Sequence, residues 1–311
     1  MDDSSYPEPD DRPTGRQVLV TGGAGFIGSH LVDTLVSNND VRVLDDLSSG
    51  TREQVDDRAE FIRGDVRDEA TVQEAAAGVD IIYHQAGIVS VARSVEQPRT
   101  SHATNVAGTL AVLEAARTAD ARVVFASSAA IYGEPTALPI AETHPTEPQS
   151  PYGLEKLTAD RYLRLYDKLY GLETVPLRYF NVYGPRQTGG DYAGVIAAFL
   201  KQARAGGPLT VHGDGTQTRD FVHVDDIVRA NLLAGTTAAT GQPFNVGTGD
   251  RVSIRELAET VRGLVDESID IVHEQPWAGD IPDSEADITR ARERLGYEPT
   301  TELQAGLKTL L

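Results

Sequence analysis

The stretch QVLVTGGAGFIGSH, residues 17–30, leaves a chain few ways to fold. An apolar run, Val18–Val20, enters a turn holding Gly22, Gly23, Gly25 and Gly28, and an amphipathic helix follows from about Phe26. Gly23, Gly25 and Gly28 satisfy GxGxxG, while Gly22, Gly25 and Gly28 satisfy GxxGxxG. Between a strand and a helix, such glycines permit a tight turn and let the first N–H groups of the helix meet a pyrophosphate. The same residues also suit a plain strand-to-helix turn.

The rhythm continues. VRVLDDL (41–47), AEFIRGDVRD (59–68), VDIIYHQAG (79–87), ARVVFASS (121–128) and TVPLRYFNVYG (174–184) read as further strands. Helical segments such as ATVQEAAAG (70–78) and TNVAGTLAVLEAARTA (104–119) lie between them. Apolar strands alternating with helices predict an α/β fold, a Rossmann-type doubly wound parallel sheet. Past Tyr183 the pattern changes to Gly-rich and acidic loops: GPRQTGGDY, HGDGTQTRD and HEQPWAGDIPDSEAD. FVHVDDIVRANLLAG (221–235) and PFNVG (243–247) are regular enough to return to the main sheet. The expected division is a disordered acidic tail over 1–15, a dinucleotide-binding domain over 16–182 rejoined by 221–247, and a smaller, interleaved C-terminal substrate-binding lobe over 183–311.

Composition removes several kinds of chemistry. No cysteine is present, which excludes disulfides, thiolate metal sites and cysteine nucleophiles. The 7 histidines show no paired spacing, so no metal site is expected. A formal net charge of −19 argues against nucleic-acid and anionic-membrane partners. The lysines are Lys156, Lys168, Lys201 and Lys308. Scarce lysine with abundant Asp and Glu suits either ordinary solubility or work in concentrated salt, and the depth of the depletion favours the second. With no signal peptide and no membrane-length apolar run, a cytoplasmic location is expected.

Carboxylates mark the strand ends. Asp45 closes the second strand at the distance of an acid that accepts both ribose hydroxyls and repels a 2′-phosphate, which favours NAD over NADP. Asp46 beside it also suits a turn. Asp65, ending the third strand, either reaches the adenine or caps its loop.

SPYGLEK (150–156) sets Tyr152 and Lys156 one helical turn apart, on one face. Such a pair serves helix packing, or it holds a phenol beside an ammonium as a proton-transfer group.

Taken with Ser128 in FASSAAIYG, these residues form a Ser/Tyr/Lys set that resembles the extended short-chain dehydrogenase/reductase family. The likeness covers nearly all of residues 16–311. It is carried in order by TGGAGFIGSH, HQAG, NVAGTL, SSAAIYG, YGLEK, LRYFNVYGPRQ, GDGTQTRDFVHVDD and FNVG. Within that family the sequence is most similar to NAD-dependent nucleotide-sugar epimerases of the UDP-glucose 4-epimerase type. The resemblance implies a Tyr152 phenolate, stabilised by Lys156 and the positive nicotinamide, that takes a proton from a sugar hydroxyl held by Ser128 while NAD accepts the hydride. It places Gly22, Gly25, Phe26, Ile27, Gly28, Asp45, Asp46, Asp65, Val66, Ala86, Gly87, Asn105 and Tyr179 at the cofactor, Asn105 also serving as a structural prop. It places Ser90, Asn181, Arg219, Asp280 and Ser284 at the substrate and the segment Tyr192–Val195 near its base, with Arg186 either near the phosphates or solvated. It also implies a homodimer through the helices carrying NVAGTLAVLEAAR and YGLEKLTADRYLRLYDKLYG.

The departures are informative. Family dehydratases and decarboxylases carry a carboxylate just after the catalytic Ser/Thr, where this chain has Ala129 and Ala130. The family's common Arg-Pro-Gly-Asp loop reads Trp277-Ala278-Gly279-Asp280, so Trp277 stacks on a base, packs between lobes or marks a different nucleotide. A small Ser284 resembles epimerases that admit N-acetylated sugars. Alternatives to a 4-epimerase are a 4-keto-sugar reductase, a uronic-acid epimerase and a non-catalytic NAD-binding regulator.

Overall fold

A computed structural model describes residues 12–187, 194–276 and 281–311. The chain begins β1 (Gln17–Thr21), α1 (Phe26–Leu35), β2 (Asp40–Asp45), β3 (Glu60–Arg63), α2 (Glu69–Ala75) and β4 (Ile81–His84). Next come α3 (Val91–Glu96), α4 (Pro98–His102), a π-helical turn (Ala103–Ala107), α5 (Gly108–Ala119), β5 (Arg122–Ser128), α6 (Pro151–Tyr170) and β6 (Thr174–Tyr179). Then follow β7 (Asn181–Tyr183), α7 (Val195–Arg204), β8 (Leu209–His212), β9 (Thr218–Arg219), β10 (Phe221–His223) and α8 (Val224–Thr236). The chain ends with β11 (Phe244–Val246), β12 (Val252–Ser253), α9 (Ile254–Val265), β13 (Ile271–Glu274), α10 (Thr289–Leu295) and α11 (Leu303–Lys308).

Seven strands form one parallel sheet in the order β11-β6-β5-β4-β1-β2-β3. The chain runs outward from β1 to β3, then restarts on the other side of β1 with β4. The reversal opens a crevice at the carboxyl ends of β1 and β4, where ligands of such sheets bind. Alternation within β1 feeds both faces. Val18 and Val20 join Leu31, Val32 and Ile227 of α1 and α8, whereas Leu19 joins Ile82, Val112 and Leu163 on the α5 and α6 side.

TVPLRYFNVYG is two strands rather than one. β6 lies in the main sheet, and β7 leaves it to pair in parallel with β10. Within 221–247, α8 packs on α1 and β11 adds to the sheet edge beside β6, but β10 stays outside the main sheet. A third core of Tyr183, Phe199, Leu209, Val211, Leu257 and Leu307 holds α7, β8, α9 and α11 together as the smaller lobe. Among the described residues, no helix is long and apolar enough to cross a membrane.

Candidate active site

The glycine turn is packed too tightly for side chains. Gly22 has φ +70°, and a Cβ there would lie 2.6 Å from the Ala86 nitrogen. Helices α2, α3, α6 and α9 start with side-chain caps from Asp68, Ser90, Ser150 and Ser253. α1 starts at Gly25 with no side-chain cap and no acidic residue in its first turn. Its first N–H groups, including those of Phe26 and Ile27, therefore suit an anionic cap such as a pyrophosphate. The Phe26 ring stands edge-on to His30 at 6.1 Å, and Ile27 packs into the core.

Asp45 braces the same turn. Its carboxylate accepts the Ala24 N–H at 2.9 Å and the Leu47 N–H at 2.8 Å, and burial pushes its pKa up. Each oxygen keeps a lone pair for a ribose hydroxyl. Asp46 is exposed and turns back onto the Ser48 N–H at 2.9 Å, which is a turn role. Asp65 pairs with Arg67, whose hydrogen bond holds its carboxyl below the usual range, so it caps its own loop. Val66 is buried against the start of α5, where a Cβ at Gly108 would lie 2.9 Å from it.

The Ser/Tyr/Lys set is assembled by two elements. β5 ends at Ser128, and α6 brings Tyr152 and Lys156 across its carboxyl end. Ser150 accepts the Gly153 N–H at 3.1 Å and Pro151 occupies the first turn, which fixes where α6 begins. The Tyr152 N–H is held by the Ser94 hydroxyl at 3.1 Å. Lys156 Nζ donates to the Ala126 carbonyl at 2.7 Å and stands 4.8 Å over the Phe125 ring. Burial pushes its pKa down to about 8, while the Glu155 carboxylate raises it.

The Tyr152 phenol departs from expectation in the protein alone. Burial raises its pKa, and Ser128, close enough to hydrogen-bond it, pulls it partly back. The Lys156 ammonium is taken up by the Ala126 carbonyl rather than by the phenol.

Asn105 lies in the π-helical turn, a local widening common at functional sites. Its side chain accepts the Ile88 N–H at 2.8 Å and donates to the Ile88 carbonyl at 3.0 Å. It thereby clamps the loop carrying Ala86, Gly87 and Ser90. A Cβ at Gly87 would lie 3.5 Å from Lys156 Nζ, so that loop reaches the ammonium. Ser90 caps α3 through the Arg93 N–H at 3.0 Å. Tyr179 is buried with its hydroxyl between Asn231 and Gln85, 2.8 Å from Asn231 Nδ2, and burial pushes its pKa up to about 12.

On the substrate side the picture is mixed. Asn181 is exposed, its backbone N–H donating to the Asp220 carbonyl at 3.0 Å. Val195 opens α7. Arg219 is buried and donates to the carbonyls of Thr218 at 2.6 Å and Ile281 at 2.7 Å, anchoring the segment that carries buried Ser284. Arg186 pairs with Asp33 of α1 at 2.7 Å, tying its loop to α1. Asp280, Trp277, Tyr192 and most of the acidic tail lie outside the described residues.

Several buried polar residues escaped sequence reasoning. Glu155 accepts the Ser101 hydroxyl at 2.6 Å and Asn105 Nδ2 at 2.8 Å. Asp160 takes Arg178 in a two-pronged pair at 2.9 and 3.1 Å on the buried face of α6. Asp220 accepts the backbone N–H groups of Thr248, Gly249 and Ala286. Carboxylates at 155 and 160 on the inward side of α6 were the available signal.

Residues 18–247 match the family described as NAD dependent epimerase/dehydratase. A UDP-glucose 4-epimerase of Mycolicibacterium smegmatis is 42% identical over 300 residues, covering 94% of this chain and 96% of the relative. The crystal structure of a UDP-glucose 4-epimerase from Thermotoga maritima with UDP-glucose shares 39% identity at a TM-score of 0.91, covering 94% and 96% of the two chains. A UDP-N-acetyl-alpha-D-glucosaminuronate decarboxylase of Bacillus cytotoxicus is 34% identical over 309 residues, covering 94% and 96%. The uncapped glycine turn, the Asp45 brace and a match spanning most of the chain agree: this chain belongs to the NAD-dependent epimerase/dehydratase family, an extended short-chain dehydrogenase/reductase with NAD as its cofactor.

Proposed function

We propose that the protein is a nucleotide-sugar 4-epimerase acting on UDP-glucose and UDP-galactose or their N-acetyl forms. One observation carries the reading. β5 delivers Ser128 beside Tyr152, and the next residues, Ala129 and Ala130, offer no carboxylate for elimination or for steering an acid. Relatives named as UDP-glucose 4-epimerases support it.

Bound NAD supplies the acceptor and donor of hydride at sugar carbon 4. Tyr152 takes the proton from the 4-hydroxyl and returns it, Ser128 holds that oxygen, and Lys156 keeps the phenolate charge tolerable. Gly22, Gly25 and Gly28 seat the pyrophosphate, and Asp45 the ribose. Asn181, Arg219 and Asp280 serve the diphosphate side, with Ser284 beside the sugar. On this reading 16–182 with 221–247 carries the cofactor and the rest of 183–311 the substrate. The row Leu154, Leu165, Leu169 and Tyr170 exposed on α6 fits a second copy of the chain, which sedimentation velocity detects. A cytoplasmic enzyme working at high salt accords with the composition, and the salt dependence of turnover tests that.

The deciding experiment is proton NMR of purified protein with UDP-glucose and with UDP-N-acetylglucosamine, no cofactor added. The galacto product without net NADH is the expected result. In Tyr152→Phe, turnover falls about 10²–10⁴-fold while NAD affinity holds. Net NADH consumption would identify a reductase instead, and carbon dioxide from UDP-glucuronate a decarboxylase. Full cellular function in Tyr152→Phe would point to a regulator.

A further inference from the structure

Two buried charges of opposite sign stand on consecutive residues of α6, and neither has an ion-pair partner among the described residues. Lys156 is 3% exposed, yet its ammonium meets a backbone carbonyl and an aromatic face rather than a carboxylate. Glu155 is 4% exposed, and the partners of its carboxylate are the neutral hydroxyl of Ser101 and the neutral amide of Asn105. An isolated buried charge is costly, and it is often relieved by neutralisation. On adjacent residues of α6, though beyond ion-pair distance, each charge acts on the other through a medium of low polarity.

The elements packed against α6 offer no substitute. Arg178 of β6 is taken by Asp160, and Glu114 of α5 by Arg117 and the Tyr166 hydroxyl. On α3 and α4, Glu96, Arg99 and His102 are exposed and Arg93 is half-buried. His84 of β4 lies near Lys156, but burial and the Lys156 charge keep it neutral at ordinary pH. That leaves Glu155 as the charge that acts on Lys156.

We propose that Glu155 is a positioning residue that keeps the buried Lys156 side chain in its charged form and ties that charge, through Asn105, to the loop at residues 85–90. The inference deepens the reading of Tyr152 and Lys156 as the proton-transfer pair and rests on it. Burial alone lowers the Lys156 pKa, and the Glu155 charge raises it. The same charge raises that of Tyr152. Removing it therefore moves both the acid and the alkaline limb of the activity profile toward lower pH.

Glu155→Gln isolates the charge, because an amide oxygen can still accept from Ser101 and Asn105. The chain has so few lysines that a sample labelled at lysine Cε gives a readable titration, with Lys156→Met assigning the resonance. In the NAD-loaded protein without substrate, the Lys156 midpoint should fall by about one pH unit in Glu155→Gln. It should stay within a few tenths of a unit of wild type in Glu155→Asp. The alkaline limb of turnover should shift with the midpoint. An unchanged midpoint in Glu155→Gln overturns the proposal, even if turnover falls. Should that variant fail to fold, Glu155→Ala, which also removes the charge, decides: a fallen midpoint supports the charge role and an unchanged one overturns it. Because the midpoint is read without sugar, a failed epimerase assay leaves this result standing.

Discussion

At Gly28 an added methyl would lie 2.2 Å from the Gly22 carbonyl oxygen, a backbone atom that cannot move without opening the turn. At Gly263, exposed in α9, an added methyl meets nothing within 4 Å. Both are helical, so backbone propensity alone would favour alanine at either site by about 1 kcal/mol. The contacts decide the sign. Gly28→Ala should cost about 1–3 kcal/mol through the forced shift and weaken NAD binding at least tenfold, as read by urea unfolding and NAD titration. Gly263→Ala should gain up to about 1 kcal/mol and leave NAD binding alone. Equal effects at the two sites would remove the steric account of the motif. The glycine motif was legible because its cost is local to the turn. Glu155 was not, because a carboxylate in YGLEK looks solvent-facing until Ser101 and Asn105, some fifty residues earlier, are folded against it.

The same contrast holds among elements. β1, the start of α1 at Phe26 and the strand ending at Ser128 stand where apolar runs and turn residues put them. Pairing was less legible. FVH reads as a strand of the main sheet, yet its partner is Asn181–Tyr183, because local alternation does not say which edge a strand will meet. His84 shows how the paired strands are locked. Its Nδ1 meets the Thr21 hydroxyl of β1 at 2.7 Å, and its Nε2 meets the Thr109 hydroxyl of α5 at 3.0 Å. Thr109 already donates to the Asn105 carbonyl, so it accepts from Nε2–H, and the ring is neutral with Thr21 donating to Nδ1. Burial, helped by the Lys156 charge, pushes the His84 pKa from 6.5 down to about 3. Between those values the unfolded chain binds a proton that the folded chain refuses. The contribution is therefore intact above pH 6.5 and lost as pH falls toward 3, at about 1.4 kcal/mol per unit. From about pH 7.5 to 5, wild type should lose about 2 kcal/mol more than His84→Gln in urea unfolding. Parallel losses would mean that His84 titrates normally in the fold.

For the whole molecule, the surplus of 19 negative charges competes with the apolar row on α6. Leu154, Leu165 and Leu169 lie at helical spacing on one side of α6 and are 56%, 44% and 58% exposed. Arg161, Arg164 and Lys168 are exposed on the same helix, so this face is less acidic than the chain as a whole. Two copies meeting through α6 would be drawn by apolar contact and repelled by their net charge. The repulsion acts over about 10 Å at 0.1 M salt and about 3 Å at 1 M, whereas apolar burial does not weaken with salt. Surface pairs such as Arg58–Asp56 and Arg117–Glu114 also weaken, but exposed pairs of this kind add little to stability. Sedimentation velocity should therefore show association strengthening between about 0.1 and 2 M KCl. Leu169→Glu should stay monomeric at both concentrations. A wild-type chain that remains monomeric in high salt would remove the second copy as the partner of α6. A dimer that tightens equally in Leu169→Glu would place the contact on another face.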